Sequence, residues 1–456
     1  MINSVHISDF SIYGSSWTTP ELRALFSEQA RITGWLEVMT VLAETQAQFA
    51  LIPQQAAIEI RDFYNTLEIN DAFLQEVGLH YAATNHSLAG LIKAVQNRCQ
   101  PLGGEWLCYG ATVQDITDTH TMRTLKTVRQ LFIKQLQVIE QHLMQLAKTH
   151  KHTLMAGRTH GQIGLPITFG YKAATWLDEI NRHKQRLINL AERMDVGQLA
   201  GGVGSLSSQG EQPLQLQQAF CQTLGLQAPR ISWTSSRDRL AEWANVLALL
   251  CGTVDRIGHE IYNLQRPEIG ELSEGFISGT VGSITMPQKR NPEISEHLGT
   301  LARLVRHQAA FMNENLVHDH ERDGRSWKGE WLIIPEITLA TGKALQLLEQ
   351  LVAGLQINPQ RMLDNLALTH GFVHAEAVML ALAKKLGKQS AHRLVYELSM
   401  SAQSQKISFK TALEQNEQVT ALLSTGELET LFDLQQCTGA CSEMVNQLIN
   451  QLETST

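Results

Sequence analysis

Residues 237–265 read RDRLAEWANVLALLCGTVDRIGHEIYNLQ. Their apolar positions are Leu240, Trp243, Leu247, Leu250, Val254, Ile257, Ile261 and Leu264, in alternating steps of three and four residues. That heptad seam predicts a helix, because a strand would alternate every second residue. At about 1.5 Å per residue the helix would be roughly 43 Å long. A second seam runs through Met122, Leu125, Phe132, Leu136, Ile139, Leu143 and Leu146, and a third candidate helix spans Phe169 to Met194. Two more are expected after Pro292 and Asp323, the last carrying Trp331, Leu345, Leu348, Leu351 and Leu355. Helices far longer than the usual ~11 residues need continuous partners. Residues 113–360 therefore read as an elongated long-helix bundle that associates with copies of itself. Residues 1–112 read as an N-terminal domain of shorter helices, with a helix start at Thr18-Thr19-Pro20-Glu21. Residues 361–456 read as a C-terminal helical domain. Strand signals are weak throughout, so the fold class is all-α.

The 456 residues are 43% hydrophobic and 18% charged, enough apolar content for a sizeable core. A net charge of −8 argues against a general binder of nucleic acid or anionic membranes. Six scattered cysteines without a CxxC pattern predict that most are buried thiols in a reducing compartment. The N-terminus lacks a basic start followed by an apolar run, so no signal peptide is expected. The longest apolar run, around Val246 to Val254, falls far short of the ~20 residues that span a bilayer. Composition thus predicts a soluble, cytoplasmic protein with no nucleic-acid or membrane partner, and it leaves the chemistry open.

The chemistry enters with Gly282-Ser283-Ile284-Thr285-Met286-Pro287-Gln288-Lys289-Arg290-Asn291-Pro292. This segment follows Glu274-Gly275-Phe276-Ile277-Ser278-Gly279 and precedes a helix starting near Glu293. Glycines on one side and prolines on the other mark a loop. Residue types alone are compatible with a polar surface loop. The segment closely resembles the signature loop of the fumarase/aspartase superfamily, with Ser, Met-Pro, Lys and Asn-Pro in register. Gly110-Ala111-Thr112-Val113-Gln114-Asp115 resembles that family's first substrate loop. Gly157-Arg158-Thr159-His160-Gly161-Gln162 resembles its second. Together with the bundle, these blocks cover most of the chain.

The resemblance implies three mainly helical domains and a homotetramer whose central bundles form a core of about 20 helices. It implies active sites built from loops of three subunits. It implies elimination across the Cα–Cβ bond of a succinyl-containing substrate, releasing fumarate, with no metal or organic cofactor. In that chemistry Ser283 matches the base, and a serine must be ionised by its surroundings to serve as one. Lys289 matches the cation that neutralises the developing aci-carboxylate. His160 matches the general acid and Glu296 the carboxylate that orients it. His86 matches a second histidine that binds or polarises substrate. Thr112, Thr159, Gln162 and Asn291 would hold substrate carboxylates. His318 and His320 form an HxH without a third ligand at convincing spacing, so no metal is expected. Gly201-Gly202-Val203-Gly204-Ser205 lacks a following Lys-Ser/Thr, so it is not read as a phosphate loop.

Branches of the superfamily differ after His320-Glu321-Arg322-Asp323. Adenylosuccinate lyases place a serine and an arginine there to grip a phosphate. This chain has Lys328 and Trp331, and tryptophan offers one neutral donor and no charge. Arg322, Arg325 and Lys328 remain the cationic candidates for substrate binding. The HER…W..EW pattern, like Gly371–Met379, resembles 3-carboxy-cis,cis-muconate cycloisomerases. Those enzymes commonly lack the His160–Glu296 pair, which is present here. Val113 and Ile284 replace serines usual in the family. The resulting expectation is a lyase that eliminates fumarate, or a close analogue, from a succinyl substrate without that phosphate. The alternatives are the cycloisomerase reaction, then adenylosuccinate cleavage. A non-enzymatic structural relative is disfavoured by the intact Ser283, Lys289, His160 and Glu296.

Overall fold

The computed structural model describes residues 5–86, 88–276, 279 and 282–454. The first residues of the N-terminus, and Ile277 and Ser278 before the signature loop, lie outside the described residues. The fold is mainly helical. Its five long helices are Val113–Thr149, Phe169–Met194, Asp238–Gln265, Glu293–Glu314 and Gly324–Gly354. Shorter helices precede them and follow them. No single described helix is both long and apolar enough to cross a membrane.

The heptad reading holds at side-chain level. All eight seam residues from Leu240 to Leu264 are buried. In the second seam only Leu146 is half-buried rather than buried. Helix starts follow local chemistry. Thr19 caps Pro20–Leu25, with Pro20 in the first turn as expected. Asp323 accepts the Arg325 N–H at 2.8 Å at the start of Gly324–Gly354.

Strands are few among the described residues, as expected for an all-α fold, but one hairpin stands where no strand signal is read in the sequence. Leu154–Thr159 (β1) and Gln162–Thr168 (β2) form an antiparallel hairpin, with Thr159 opposite Gln162 and Arg158 opposite Ile163. The alternation was hidden by Gly157, Gly164 and Pro166, and the register slips between Ala156 and Arg158. A second ladder pairs Leu272–Ser273 with Gln356–Ile357.

By packing, the chain divides into two compact units: residues 1–135, 183–252 and 300–346, and residues 136–182, 253–299 and 347–456. Every long helix contributes residues to both. In the first unit, Arg237 is 1% exposed and lies between Asp118 and Glu330 from two other segments. Its Nη1 donates to Asp118 at 2.7 Å and its Nε to Glu330 at 2.8 Å. In the second unit, Ala147, Ala173, Ala174, Val445 and Ile449 pack the C-terminal helix Cys441–Thr454.

Two glycines test this packing with opposite signs. A Cβ on Gly170 would meet the Ala147 carbonyl oxygen and the Lys151 nitrogen at 2.5 Å, both backbone atoms. Gly78, inside helix Asp71–Thr84, has nothing within 4 Å of that position. Urea unfolding should show Gly170→Ala destabilised by about 1–3 kcal/mol. Gly78→Ala should be stabilised by about 0.5–1 kcal/mol.

Candidate active site

The second unit carries the residues expected to do acid–base work. His160 and Gly161 form the two-residue turn of the hairpin, with φ of 52° and 76°. Positive φ at both positions is the geometry whose twist suits a tight hairpin. Thr159, His160 and Gln162 are all exposed at this tip. The His160 ring makes no hydrogen bond or ion pair among the described residues. The tip is anchored from below. Arg158 donates from Nη1 and Nη2 to both oxygens of Glu271, at 2.9 and 2.5 Å. Glu271 is fully buried and also accepts from Asn365 at 2.7 Å.

The signature loop holds Ser283, Lys289 and Asn291 on one short excursion. Ser283 Oγ accepts the Met286 N–H at 3.1 Å. Asn291 Nδ2 donates to the Gly282 carbonyl at 2.8 Å, so this amide ties the two ends of the loop together. A Cβ on Gly282 would lie 2.6 Å from the Lys289 carbonyl, which explains the glycine. The Lys289 ammonium is exposed and makes no hydrogen bond or ion pair among the described residues. Ile284 is 98% exposed. Glu274 fixes the loop's exit by accepting the N–H groups of Ile294 and Ser295 at 3.1 and 2.8 Å. Glu296 lies exposed in the first turn of the helix so capped.

The first unit carries the first of the expected substrate loops and the cationic candidates after His320. Asp115, fully buried, accepts N–H groups from Thr112, Ala200 and Gly201 at 2.9, 2.8 and 3.0 Å. It thereby fastens the Thr112 loop to the glycine-rich turn. Burial pushes the Asp115 carboxyl up to about 7 against those three donors, which pull it down. Arg322 donates to the Gly202 carbonyl in that same turn at 2.9 Å. Arg325 is paired with Asp323 at 2.7 Å and Asp319 at 3.0 Å. Its hydrogen bond holds the Asp323 carboxyl well below the usual carboxylate range. Lys328 is exposed and has no side-chain partner among the described residues. Trp331 packs on Trp327 and Trp35, with ring centroids 5.0 and 6.0 Å away. His86 is exposed, and its Nδ1 accepts the Ala89 N–H at 3.2 Å at the start of helix Ala89–Arg98.

Local sequence gave no sign of Asp115, Arg158, Glu271 or Glu274 as anchors. Arg158 and Glu271 are 113 residues apart in the chain, and only folding joins them. Among the described residues, no group of three or more His, Cys, Asp or Glu side chains is placed to hold a metal ion.

The family described as "Lyase" matches residues 15–306, well over half of the chain. The chain belongs to the fumarase/aspartase superfamily. A second match, to the adenylosuccinate lyase C-terminus, covers residues 371–448. The chain is 39% identical to the N-acetyl-S-(2-succino)cysteine lyase of Dickeya dadantii (strain 3937), over 97% of each chain. The fumarate lyase structure from Mesorhizobium sp. BNC1 superposes with a TM-score of 0.89 at 32% identity, covering 96% of this chain and 99% of that one. The 3-carboxy-cis,cis-muconate lactonizing enzyme structure from Pseudomonas putida gives 0.88 at 30%, covering 98% and 99%. The chain is accordingly an enzyme of this superfamily, mainly helical like its solved relatives.

The hairpin anchor gives a stability test. Arg158→Met would leave the Glu271 carboxylate buried without its cation, at a cost of about 3–5 kcal/mol. Adding Glu271→Gln should recover most of that loss. Denaturant midpoints for the single and double variants check both expectations.

Proposed function

We propose that this enzyme eliminates fumarate from a succinyl thioether, releasing a thiol. The observation that carries the reading is the combination of Ser283 and His160 with a tryptophan at position 331. Elimination needs the acid–base set, and the packed Trp331 ring offers no charge to a substrate phosphate. The identity to a succinocysteine lyase supports a sulfur leaving group.

The chemistry balances with these residues alone. Ser283 removes a proton from the methylene carbon next to a substrate carboxylate. The Met286 N–H bond to Ser283 Oγ favours the ionised oxygen that this step requires. Lys289 neutralises the aci-carboxylate as it forms. The electron pair closes the C=C bond of fumarate, and the C–S bond breaks towards sulfur. His160 delivers the proton that makes the leaving group a neutral thiol, with Glu296 orienting the ring. Thr112, Thr159, Gln162 and Asn291 hold carboxylates, His86 contacts the substrate, and Arg322, Arg325 and Lys328 supply positive charge nearby. No cofactor or metal takes part.

The same reading includes a homotetramer, with three helical domains divided near residues 112 and 360. Each long helix exposes a large apolar side chain: Val138, Ile188, Leu249, Phe311 and Leu332. Exposed apolar residues on every bundle helix are what packing against further copies would cover. Completion of each site by loops from neighbouring subunits fits the exposed positions of His160 and Lys289.

Purified protein should convert N-acetyl-S-(2-succino)cysteine to fumarate and thiol in equal amounts, with little turnover of adenylosuccinate. Ser283→Ala and His160→Asn should each slow turnover by about 10²- to 10⁴-fold. Asparagine suits the second change because it tolerates the left-handed turn. Loss of 3-carboxy-cis,cis-muconate without fumarate release from any succinyl compound would instead establish the lactonising reaction.

A further inference from the structure

A small cavity in the first unit is built around an unpaired cation. Its volume is about 50 Å³, and its walls include Arg31, Trp35, Thr117, His120 and Trp331. At about 10–15 Å³ per water-sized group, it holds roughly three to five heavy atoms. Arg31 is half-buried, and its guanidinium makes no hydrogen bond or ion pair among the described residues. The Trp331 ring lies 5.8 Å from the guanidinium carbon. Burial lowers its pKa from the usual arginine range, with Glu28 opposing. Thr117 is 3% exposed, and its hydroxyl has no hydrogen-bond partner. A half-buried cation and a buried hydroxyl without partners each carry a desolvation cost that a ligand would reduce.

The charge around the cavity favours an anion at Arg31. Asp118 and Glu330 also border the cavity, but both direct their oxygens to Arg237. His120 is neutral near pH 7, because burial, Arg31 and Arg123 bring it down to about 4 against the pull of Glu37. Arg31 is the charged wall residue left without a hydrogen-bonded counter-ion.

Two of the helices that wall the cavity, Val113–Thr149 and Gly324–Gly354, carry or directly follow candidate substrate residues. Thr117 follows Thr112 by five residues, about 7.5 Å along the helix. Trp331 follows Lys328 by less than one helical turn.

We propose that this cavity receives a carboxylate on the leaving-group side of the thioether, with Arg31 pairing its charge, Thr117 donating a hydrogen bond, and Trp35 and Trp331 enclosing its carbon stem. The inference rests on the thioether reading of the site and makes Arg31 a specificity residue. The size matches a carboxylate with one or two attached carbons. An adenylate could not be accommodated there.

Two substrates that differ by that one group test the idea: N-acetyl-S-(2-succino)cysteine and its decarboxylated analogue, N-acetyl-S-(2-succino)cysteamine. The native enzyme should favour the acid in kcat/KM by about 10- to 100-fold, the range of a charge-assisted hydrogen bond. In Arg31→Leu that ratio should fall towards one, chiefly through KM of the acid, whereas Arg31→Lys should keep part of it. Thr117→Val, nearly the same shape and without the hydroxyl, should lower the ratio several-fold and covers the case in which Arg31→Leu does not fold. A ratio unchanged in Arg31→Leu, or unchanged in Thr117→Val if the leucine variant is unfolded, would overturn the inference. If the native enzyme releases fumarate from neither thioether, the thioether reading fails. The cavity is then judged by calorimetric titration with N-acetylcysteine. Binding that Thr117→Val weakens supports the carboxylate site, and absence of binding removes it.

Discussion

Arg237 is the point on which the first unit depends. One guanidinium, sealed from water, takes both carboxylates of two other helices, Asp118 from Val113–Thr149 and Glu330 from Gly324–Gly354. It also lies 5.0 Å from the Trp233 ring, whose indole N–H donates to the Gly197 carbonyl. Burial alone would lower the arginine pKa, but the two carboxylates outweigh it and hold the charge in place. Breaking such an arrangement by deleting one partner strands a charge in the interior, whereas keeping it fixes the helices in one register. The consequence is positional. Thr112 lies just before the first of these helices, and Arg322, Arg325 and Lys328 lie at the start of the other, so the clamp sets where the substrate-binding candidates stand.

The second unit repeats the device at smaller scale. Arg158 and the buried Glu271 support a hairpin whose tip is His160. Glu274 caps the helix that leaves the Ser283 loop. In both places a carboxylate holds a loop in position, buried at Glu271 and half-buried at Glu274, while His160 and Lys289 stay exposed. Rigid support beneath an exposed reactive group is what catalytic positioning requires.

Much of this was legible in the sequence because periodicity reports burial. The Leu240–Leu264 seam is buried at every position, and the helix from Phe169 to Met194 has the limits read from its pattern. Caps and prolines marked the helix starts at Pro20, Glu293 and Gly324. The signature loop was recognisable through its register of Ser283, Met286, Lys289 and Asn291. The hairpin was not, because Gly157, Gly164 and Pro166 erase a strand's alternation. The buried carboxylates were not, because their partners are distant in sequence. Trp331 could be read only as an absent phosphate grip; its packing with Trp35 and Trp327 beside the Arg31 cavity needed coordinates. The sequence also pairs His160 with Glu296 by register, yet the His160 ring makes no ion pair within the described chain.

The exposed, unpartnered His160 ring is consistent with our proposal that the catalytic groups meet only when subunits assemble. Ser283→Ala and His160→Asn chains, each expected to be slowed at least about a hundredfold alone, can be co-expressed and purified as mixed oligomers. If the serine and the histidine of one site come from different chains, random assembly restores both to about a quarter of the sites. The account predicts fumarate release near that fraction of the native rate. Mixed oligomers as inactive as either variant alone would place both residues on one chain and contradict it.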